Sequence, residues 1–145
     1  MDAPGTDIGF THIALVCTNA DKTIDFYTRF AGMDVIHDRT DGDTRVFWLS
    51  DLRRAFAVVF LEATQAEAPL GPFGHLGVCV ESRARVDELV ALAAAEDRPF
   101  SGPTDTGPPV GYWAFIQDPD GHTLEVSYGQ SVEFAVEKSR SGKPS

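Results

Sequence analysis

The sequence predicts an α+β fold built from two tandem βαβββ modules, and three observations predict it. Hydrophobic periodicity gives one strand, one helix and three more strands over 10–63. A linker rich in proline and glycine follows at 64–74, and the same order of elements then begins again. The third observation is a shared spacing, because His75 follows His12 by 63 positions (75 − 12).

The repeat extends to the far end of each module. Glu125 follows Glu62 by the same 63 positions (125 − 62), so both ends of the unit share one offset. This agreement favours an internal duplication over two chance matches. The boundaries that we expect are 8–130 for a single domain, about 8–63 and 73–128 for its two modules, and 1–7 and 131–145 for flexible termini.

Each element of the first module has its own pattern. "FTHIALVC" at 10–17 is apolar and β-branched, which is typical of a strand. Apolar residues at helical spacing predict a helix over Ala20–Ala31, and Gly32 stands where that helix should end. A turn and a polar segment separate the three strands that follow. These strands are "MDVIHD" at 33–38, "TRVFWL" at 44–49 and "AFAVVFLEA" at 55–63.

The second module repeats this order. "HLGVCV" at 75–80 predicts a strand, and Ser82 is a suitable N-cap for a helix that ends before Pro99. The rest of the module is less regular until the turn "DPDG", which favours a tight reversal of the chain. The remaining predictions are a weak strand "RPFSG" at 98–102, a long loop at 102–111, and strands "YWAFIQ" at 112–117 and "HTLEVSYG" at 122–129.

Composition narrows the class of partner. The chain has 145 residues, and its 22 acidic and 12 basic side chains give a formal charge of −10. Nucleic acids and anionic membranes attract clustered basic residues, so we expect neither as a partner. No apolar stretch is long enough to cross a bilayer and the N-terminal residues do not resemble a signal peptide, so we expect a cytoplasmic protein. Cys17 and Cys79 are expected to be free and to behave as small apolar residues.

Two histidines interrupt apolar strands and suggest a metal site. Side chains alternate along a strand, so His12 shares a face with Ala14, and His75 shares a face with Gly77. These small neighbours leave room beside each imidazole. Glu125 lies on the face of the last strand opposite its apolar side chains, and two imidazoles with a carboxylate suit a divalent transition metal.

Glu62 is the candidate for a fourth ligand and for a general base. It shares a strand face with Val58 and Phe60, and a glutamate in such surroundings needs a partner. Four protein ligands would leave two positions of an octahedral ion free for substrate. A solvent-exposed Glu62 at a strand end is the alternative interpretation. His37 and His122 are interpreted as surface residues.

Four stretches of the chain together resemble the vicinal oxygen chelate superfamily. They are "HIAL", "DKTIDFYTRFAGMDV", "HLGV" and "FIQDPDGHTLEV", and the resemblance covers about residues 8–128. It implies that the two modules form a curled, barrel-like mixed sheet around a metal site. His12, His75 and Glu125 fall on the positions of the superfamily's metal ligands. Glu62 falls near the fourth position, although a shift of two residues would put Phe60 there.

Differences from individual members of the superfamily limit what the resemblance implies about substrate. Val16 stands where bacterial glutathione-dependent glyoxalase I has an arginine. Phe115 stands where extradiol dioxygenases have a tyrosine, and Ala14 where fosfomycin-resistance enzymes usually have a threonine. Bleomycin-binding proteins of the superfamily have generally lost the metal ligands, which this chain keeps.

Three functions follow as hypotheses. The first is a glyoxalase-like enzyme that chelates neighbouring oxygens of a small substrate and catalyses an isomerase or lyase proton transfer, with Glu62 or Glu125 as catalytic group. The second is an Fe(II)-dependent extradiol-type dioxygenase with three protein ligands. The third is a small-molecule binding or antibiotic-resistance protein without catalysis. The two enzyme hypotheses imply one divalent transition metal (Fe, Mn, Ni or Zn), and the superfamily implies a homodimer whose site lies within one chain or across two.

Overall fold

The computed structural model describes residues 8–142 of the chain. The chain divides into two compact units between Pro69 and Leu70. The segment 1–7, for which the sequence predicts a flexible terminus, lies outside the described residues, as does 143–145. No helix within 8–142 is both long and apolar enough to cross a membrane.

The first unit contains one helix and one four-stranded mixed sheet. Asn19 caps the helix by accepting a hydrogen bond from the backbone N of Lys22 at 3.0 Å, and Gly32 ends it with a positive φ of 64°. The sheet has the strand order β1-β4-β3-β2, with β1 and β4 parallel. The elements are β1 His12–Cys17, α1 Ala20–Ala31, β2 Asp34–Asp41, β3 Thr44–Ser50 and β4 Ala57–Glu62.

One face of the first sheet is covered by α1 and forms the core of the unit. Phe60 is fully buried, and its ring centroid lies 5.3 Å from that of Tyr27 on α1 and 5.4 Å from that of Phe47 on β3. Strand alternation places Val58 and Phe60 on this face, and Val59 on the opposite face. The side chains of His12, Ala14 and Val59 lie on the face away from α1.

The second unit repeats the same arrangement with strand order β5-β8-β7-β6. The parallel pair is again the first and last strand of the module. The prediction of two tandem βαβββ modules is therefore confirmed, while their closure around a metal stays a prediction. The elements are β5 Leu76–Cys79, α2 Arg83–Ala95, β6 Phe100–Gly107, β7 Gly111–Gln117, β8 Thr123–Tyr128 and α3 Val132–Ser141.

The second sheet also packs one face against its helix, α2. Val86, Leu89 and Ala93 of α2 are buried, and the strand residues buried with them include Ile116 and Leu124. The register pairs Gly77 with Glu125, and Glu125 with Phe115, on the opposite face. These three residues thus lie side by side on neighbouring strands, on the face opposite α2.

Two segments differ from the sequence predictions. The weak strand and loop predicted over 98–111 are largely one strand, β6. Pairing with β7 stabilises this edge strand, which local propensity alone does not favour. Part of the tail predicted to be flexible at 131–145 forms α3, in which no residue is buried. Glu133 in its first turn and Lys138 in its last turn complement the helix dipole.

Candidate metal centre

The His75 ring is oriented by a hydrogen bond through its Nδ1. It lies directly before β5, and its Nδ1 is 2.6 Å from the carbonyl oxygen of Phe73. Because a carbonyl oxygen can only accept, Nδ1 carries the proton and donates it. The lone pair of Nε2 is then available to a metal. The ring also packs against Phe115, at a centroid distance of 4.9 Å.

Glu125 is a buried carboxylate beside this histidine. It is 8% exposed, and Gly77 on the neighbouring strand makes room for it, since a Cβ at that position would lie 3.3 Å from Glu125 Oε2. The Nε2 of Gln130 donates to Oε2 at 3.4 Å, and Oε1 lies 3.8 Å from His75 Nε2. This distance is less than twice a metal–ligand bond of about 2.1 Å, so one ion can contact both atoms. Imidazole and carboxylate therefore fit a divalent transition metal.

The pair needs a further donor to make a complete centre. Among residues 8–142, no three side chains of His, Cys, Asp or Glu cluster closely enough to hold a metal ion. Cys79 lies next on the same sheet face, with Sγ 3.3 Å from Ser127 Oγ. Both cysteines are free, as predicted. Cys17 is buried, as expected of a small apolar residue, whereas Cys79 is exposed and that part of the prediction is wrong.

His12 is exposed at the start of β1 in the first unit. Its Nδ1 lies 2.9 Å from Thr11 Oγ1. Because Ala14 pairs with Val59, strand alternation places His12, Ala14 and Val59 on the sheet face away from α1. The imidazole is therefore accessible, with a small residue beside it on the same strand.

Glu62 does not lie beside His12 in the first unit. The register pairs His12 with Ala57 but Glu62 with Cys17, five residues further along the same two strands, or about 16 Å. Glu62 also lies on the face that α1 covers, where its Oε2 accepts a hydrogen bond from the backbone N of Ala20 at 2.6 Å. The N-terminus of α1 is thus a partner of this carboxylate. This contact does not favour Glu62 as a fourth ligand or as a base, and that role stays a prediction.

The register also shows which residue occupies the position equivalent to Glu125. Two positions after each histidine, Gly77 pairs with Glu125 and Ala14 pairs with Val59. Val59 therefore stands in the first unit where Glu125 stands in the second. The repeated sequence offset does not predict this equivalence, because the chain between the paired strands is three residues shorter in the first module than in the second.

We expect Glu62→Ala to lower stability and to leave metal binding unchanged. The substitution removes an acceptor and a negative charge from the N-terminus of α1, which should cost about 1 kcal/mol of unfolding free energy. Urea denaturation measures that loss, and Glu67→Ala in the exposed linker is the matched control. A folded Glu62→Ala protein with much weaker metal binding would return Glu62 to the ligand set.

Two histidines interpreted as surface residues are not simply exposed. His122 is 3% exposed; its Nδ1 accepts from the backbone N of Leu70 at 2.9 Å. His37 is half-buried, with its ring centroid 4.7 Å from that of Trp48. The surface interpretation is wrong for His122 and only partly right for His37. No sequence signal reports the approach of Leu70, which comes from a distant segment.

Three ionisable groups of the second unit with shifted pKa values lie on the α2-facing side of its sheet, opposite Glu125. The hydroxyl of Tyr112 donates to Asp87 Oδ1 at 2.5 Å, and this bond raises the pKa of Tyr112. Arg83 is 2.8 Å from Asp105; their hydrogen bond lowers the pKa of Asp105 and raises that of Arg83. Tyr112 shares the α2-facing side of β7 with buried Ile116. These contacts tie α2 to β6 and β7 and do not belong to the candidate centre.

A small cavity adjoins the candidate centre on the sheet face that carries Glu125. Its volume is about 180 Å³, and its lining includes Phe115, whose ring contacts His75. An apolar cavity of about 150 Å³ can hold a benzene molecule, so this one can hold a single ring or a short alkyl group. All of its lining residues are apolar or uncharged, and they are Pro72, Pro99, Phe100, Ser101, Phe115, Gln117 and Thr123.

Known proteins resemble the chain in sequence and in fold. A family model described as the glyoxalase/bleomycin resistance protein/dioxygenase superfamily matches residues 9–126. The uncharacterized protein PA2024 of Pseudomonas aeruginosa is 35% identical over 125 residues, which cover 84% of this chain and 89% of that protein.

Two solved structures have a similar fold. The trypanothione-dependent glyoxalase I of Leishmania major has a TM-score of 0.67 at 22% identity, with 93% of this chain and 94% of that chain covered. The fosfomycin resistance protein FosX of Listeria monocytogenes has a TM-score of 0.67 at 18% identity, with 90% of this chain and 99% of that chain covered. That FosX structure is a mutant complexed with Mn(II) and 1S,2S-dihydroxypropylphosphonic acid. Both likenesses concern the fold alone.

Proposed function

The chain belongs to the glyoxalase/bleomycin resistance protein/dioxygenase superfamily, and from this premise we propose that it is a divalent-metal-dependent enzyme acting on a small substrate with two neighbouring oxygens. One observation carries the proposal. His75 presents Nε2 to the buried carboxylate of Glu125 at 3.8 Å, and its Nδ1 is bound by the carbonyl of Phe73. A structural histidine beside a glutamate would more often donate directly to it, at 2.7–3.2 Å or so.

The proposed donor set is His12, His75 and Glu125. Two imidazoles and one carboxylate suit Fe, Mn, Ni or Zn, and three protein ligands leave positions open for substrate. The sequence resemblance supports the inclusion of His12. The proposal allows His12 to come from the same chain or from the partner subunit of a homodimer. FosX, whose fold is similar, has been seen with Mn(II) and a vicinal diol, which supports chelation of neighbouring oxygens.

Each residue around the candidate centre would have its own role in the reaction. When bound, the ion supplies Lewis-acid polarisation of the substrate oxygens. Phe73 and Phe115 fix the His75 ring, and Gln130 holds Oε2 of Glu125. Because Glu62 is bound to α1, Glu125 is the carboxylate that remains to accept a substrate proton. Proton transfer between neighbouring carbons is the isomerase or lyase chemistry that we propose first.

The cavity beside Phe115 supports a further limit on the substrate. A molecule whose two oxygens bind an ion held by His75 and Glu125 would place a neighbouring group over Phe115 and Thr123. Since no charged side chain lines the cavity, that group should be uncharged. A small apolar or aromatic substituent fits this requirement better than a charged peptide such as glutathione.

An Fe(II)-dependent dioxygenase is the second candidate, and one observation favours it. Val59 occupies the position equivalent to Glu125, so the ligand set has two histidines and one carboxylate rather than two of each. This set with open positions is typical of non-haem Fe(II) oxygenases. The metal that the protein selects therefore separates the two candidates.

Elemental analysis of the purified protein tests the proposal. We expect about one transition metal per chain after exposure to Fe(II), Mn(II), Ni(II) or Zn(II) and removal of loosely bound ions. Selective retention of Fe(II) would favour the dioxygenase, and retention of Ni(II), Zn(II) or Mn(II) the isomerase or lyase. No stoichiometric metal under any of these conditions would exclude both enzymes and leave a small-molecule binding protein.

A further inference from the structure

The turn "DPDGH" ends in a buried histidine that the proposed chemistry does not use. His122 is 3% exposed, its backbone N donates to Asp118 Oδ1 at 2.9 Å, and its carbonyl accepts from the backbone N of Asp118 at 2.8 Å. These bonds close the turn and fix the start of β8. The Nδ1 of its imidazole is hydrogen-bonded to a residue 52 positions earlier in the sequence.

That residue is Leu70, whose backbone N–H and backbone carbonyl oxygen are both hydrogen-bonded. Its backbone N donates to His122 Nδ1 at 2.9 Å, so Nδ1 is the unprotonated nitrogen of this ring. Its carbonyl accepts from the backbone N of Thr123 at 2.7 Å. Gly71 follows so closely that a Cβ there would lie 2.6 Å from Thr123 Oγ1. The chain from Leu70 to Gly71 is therefore clamped against the first residue of β8.

The clamp lies just before the carbonyl that orients His75. Phe73 follows Leu70 by three residues, and its carbonyl oxygen receives the proton of His75 Nδ1. The Phe73 side chain is 83% exposed, so it contributes little to holding this segment in place. The position of the Phe73 carbonyl therefore depends on how the preceding residues, from Leu70 on, are held.

We infer that His122 is a positioning residue for His75. By binding Leu70, it holds the segment 70–73 in the place where the Phe73 carbonyl selects the Nδ1–H tautomer of His75. His75 Nε2 is thereby kept as the acceptor that faces Glu125. The inference rests on the proposed function only for the use of that nitrogen as a metal ligand; the tautomer itself does not require a metal.

Three substitutions at His122 separate this role from general stability. His122→Leu removes the acceptor for Leu70. His122→Gln keeps a polar side chain of similar size, but its oxygen corresponds to Nε2 rather than to Nδ1. In His122→Asn the side-chain oxygen takes the place of Nδ1 and should still accept from Leu70. Val126→Ala is the matched control, because it removes buried volume from the α2-facing side of the same strand.

Imidazole ¹⁵N NMR of the metal-free proteins identifies the His75 tautomer, and Co(II) titration gives the metal affinity. We expect a single Nδ1–H tautomer in the wild type, Val126→Ala and His122→Asn. His122→Leu and His122→Gln should show a mixture and bind Co(II) about tenfold more weakly. A single Nδ1–H tautomer in whichever of these two proteins folds would overturn the inference. If the wild type binds no Co(II) but the tautomer changes as expected, the positioning role stands and the proposed function fails.

Discussion

Replacing Glu125 with alanine should weaken divalent-metal binding by more than about 100-fold and leave the fold intact. Removal of a group that only orients a metal ligand typically costs 10–100-fold in affinity, or about that, so loss of a direct ligand should cost more. Alanine fits beside Gly77 without a clash, and Gln130 is only half-buried, so its amide can turn to water. Titration with Mn(II) or Co(II), together with circular dichroism, measures both parts of the prediction.

Glu62→Ala is the matched control for this experiment, since it removes the same side chain from a strand end in the other unit. Its carboxylate serves the N-terminus of α1 and should contribute nothing to metal affinity. Equal affinity of wild type and Glu125→Ala would remove Glu125 from the centre. Equal losses in both variants would mean that Glu62 contributes to metal binding as much as Glu125 does.

Most of the fold could be predicted because its signals are local. Gly32 ends α1 and Ser82 caps the start of α2, as the sequence predicts, since capping depends on a few neighbouring residues. β6 could not be predicted as a full strand, because its backbone is ordered by pairing with β7 rather than by its own propensity. Helix α3 could not be predicted because it buries no residue, and its sequence therefore lacks the apolar periodicity of a packed helix.

The candidate site was predictable only where strand alternation sufficed. Alternation puts Glu125 on the face opposite the apolar residues of β8, and the structure brings it to 3.8 Å from His75. The same rule places Glu62 with Val58 and Phe60, which are core residues, and thus against α1. The repeated offset of 63 does not predict the register of the first unit, because register depends on loop length, which an offset measured at the strand ends does not report.

Replacing His12 with alanine should weaken metal binding as strongly as the loss of Glu125. His12 is an accessible imidazole in the first unit, with Ala14 leaving space next to it on the same face. The second unit supplies one imidazole and one carboxylate within reach of each other, and a catalytic centre usually has three protein ligands. His37→Ala is the matched control, because it removes the same side chain from another strand of the first sheet. Unchanged affinity in His12→Ala would exclude His12.

Mixing the two ligand variants then identifies which chain supplies His12. In a homodimer whose sites each use His12 of one chain and Glu125 of the other, a heterodimer of His12→Ala and Glu125→Ala has one site with both ligands missing and one site intact. Co-refolding the variants should then restore tight binding at about one site per heterodimer. If each site uses a single chain, every site lacks one ligand and mixing restores nothing. Light scattering establishes the dimer first, since a monomeric protein that binds metal tightly must draw His12, His75 and Glu125 from one chain.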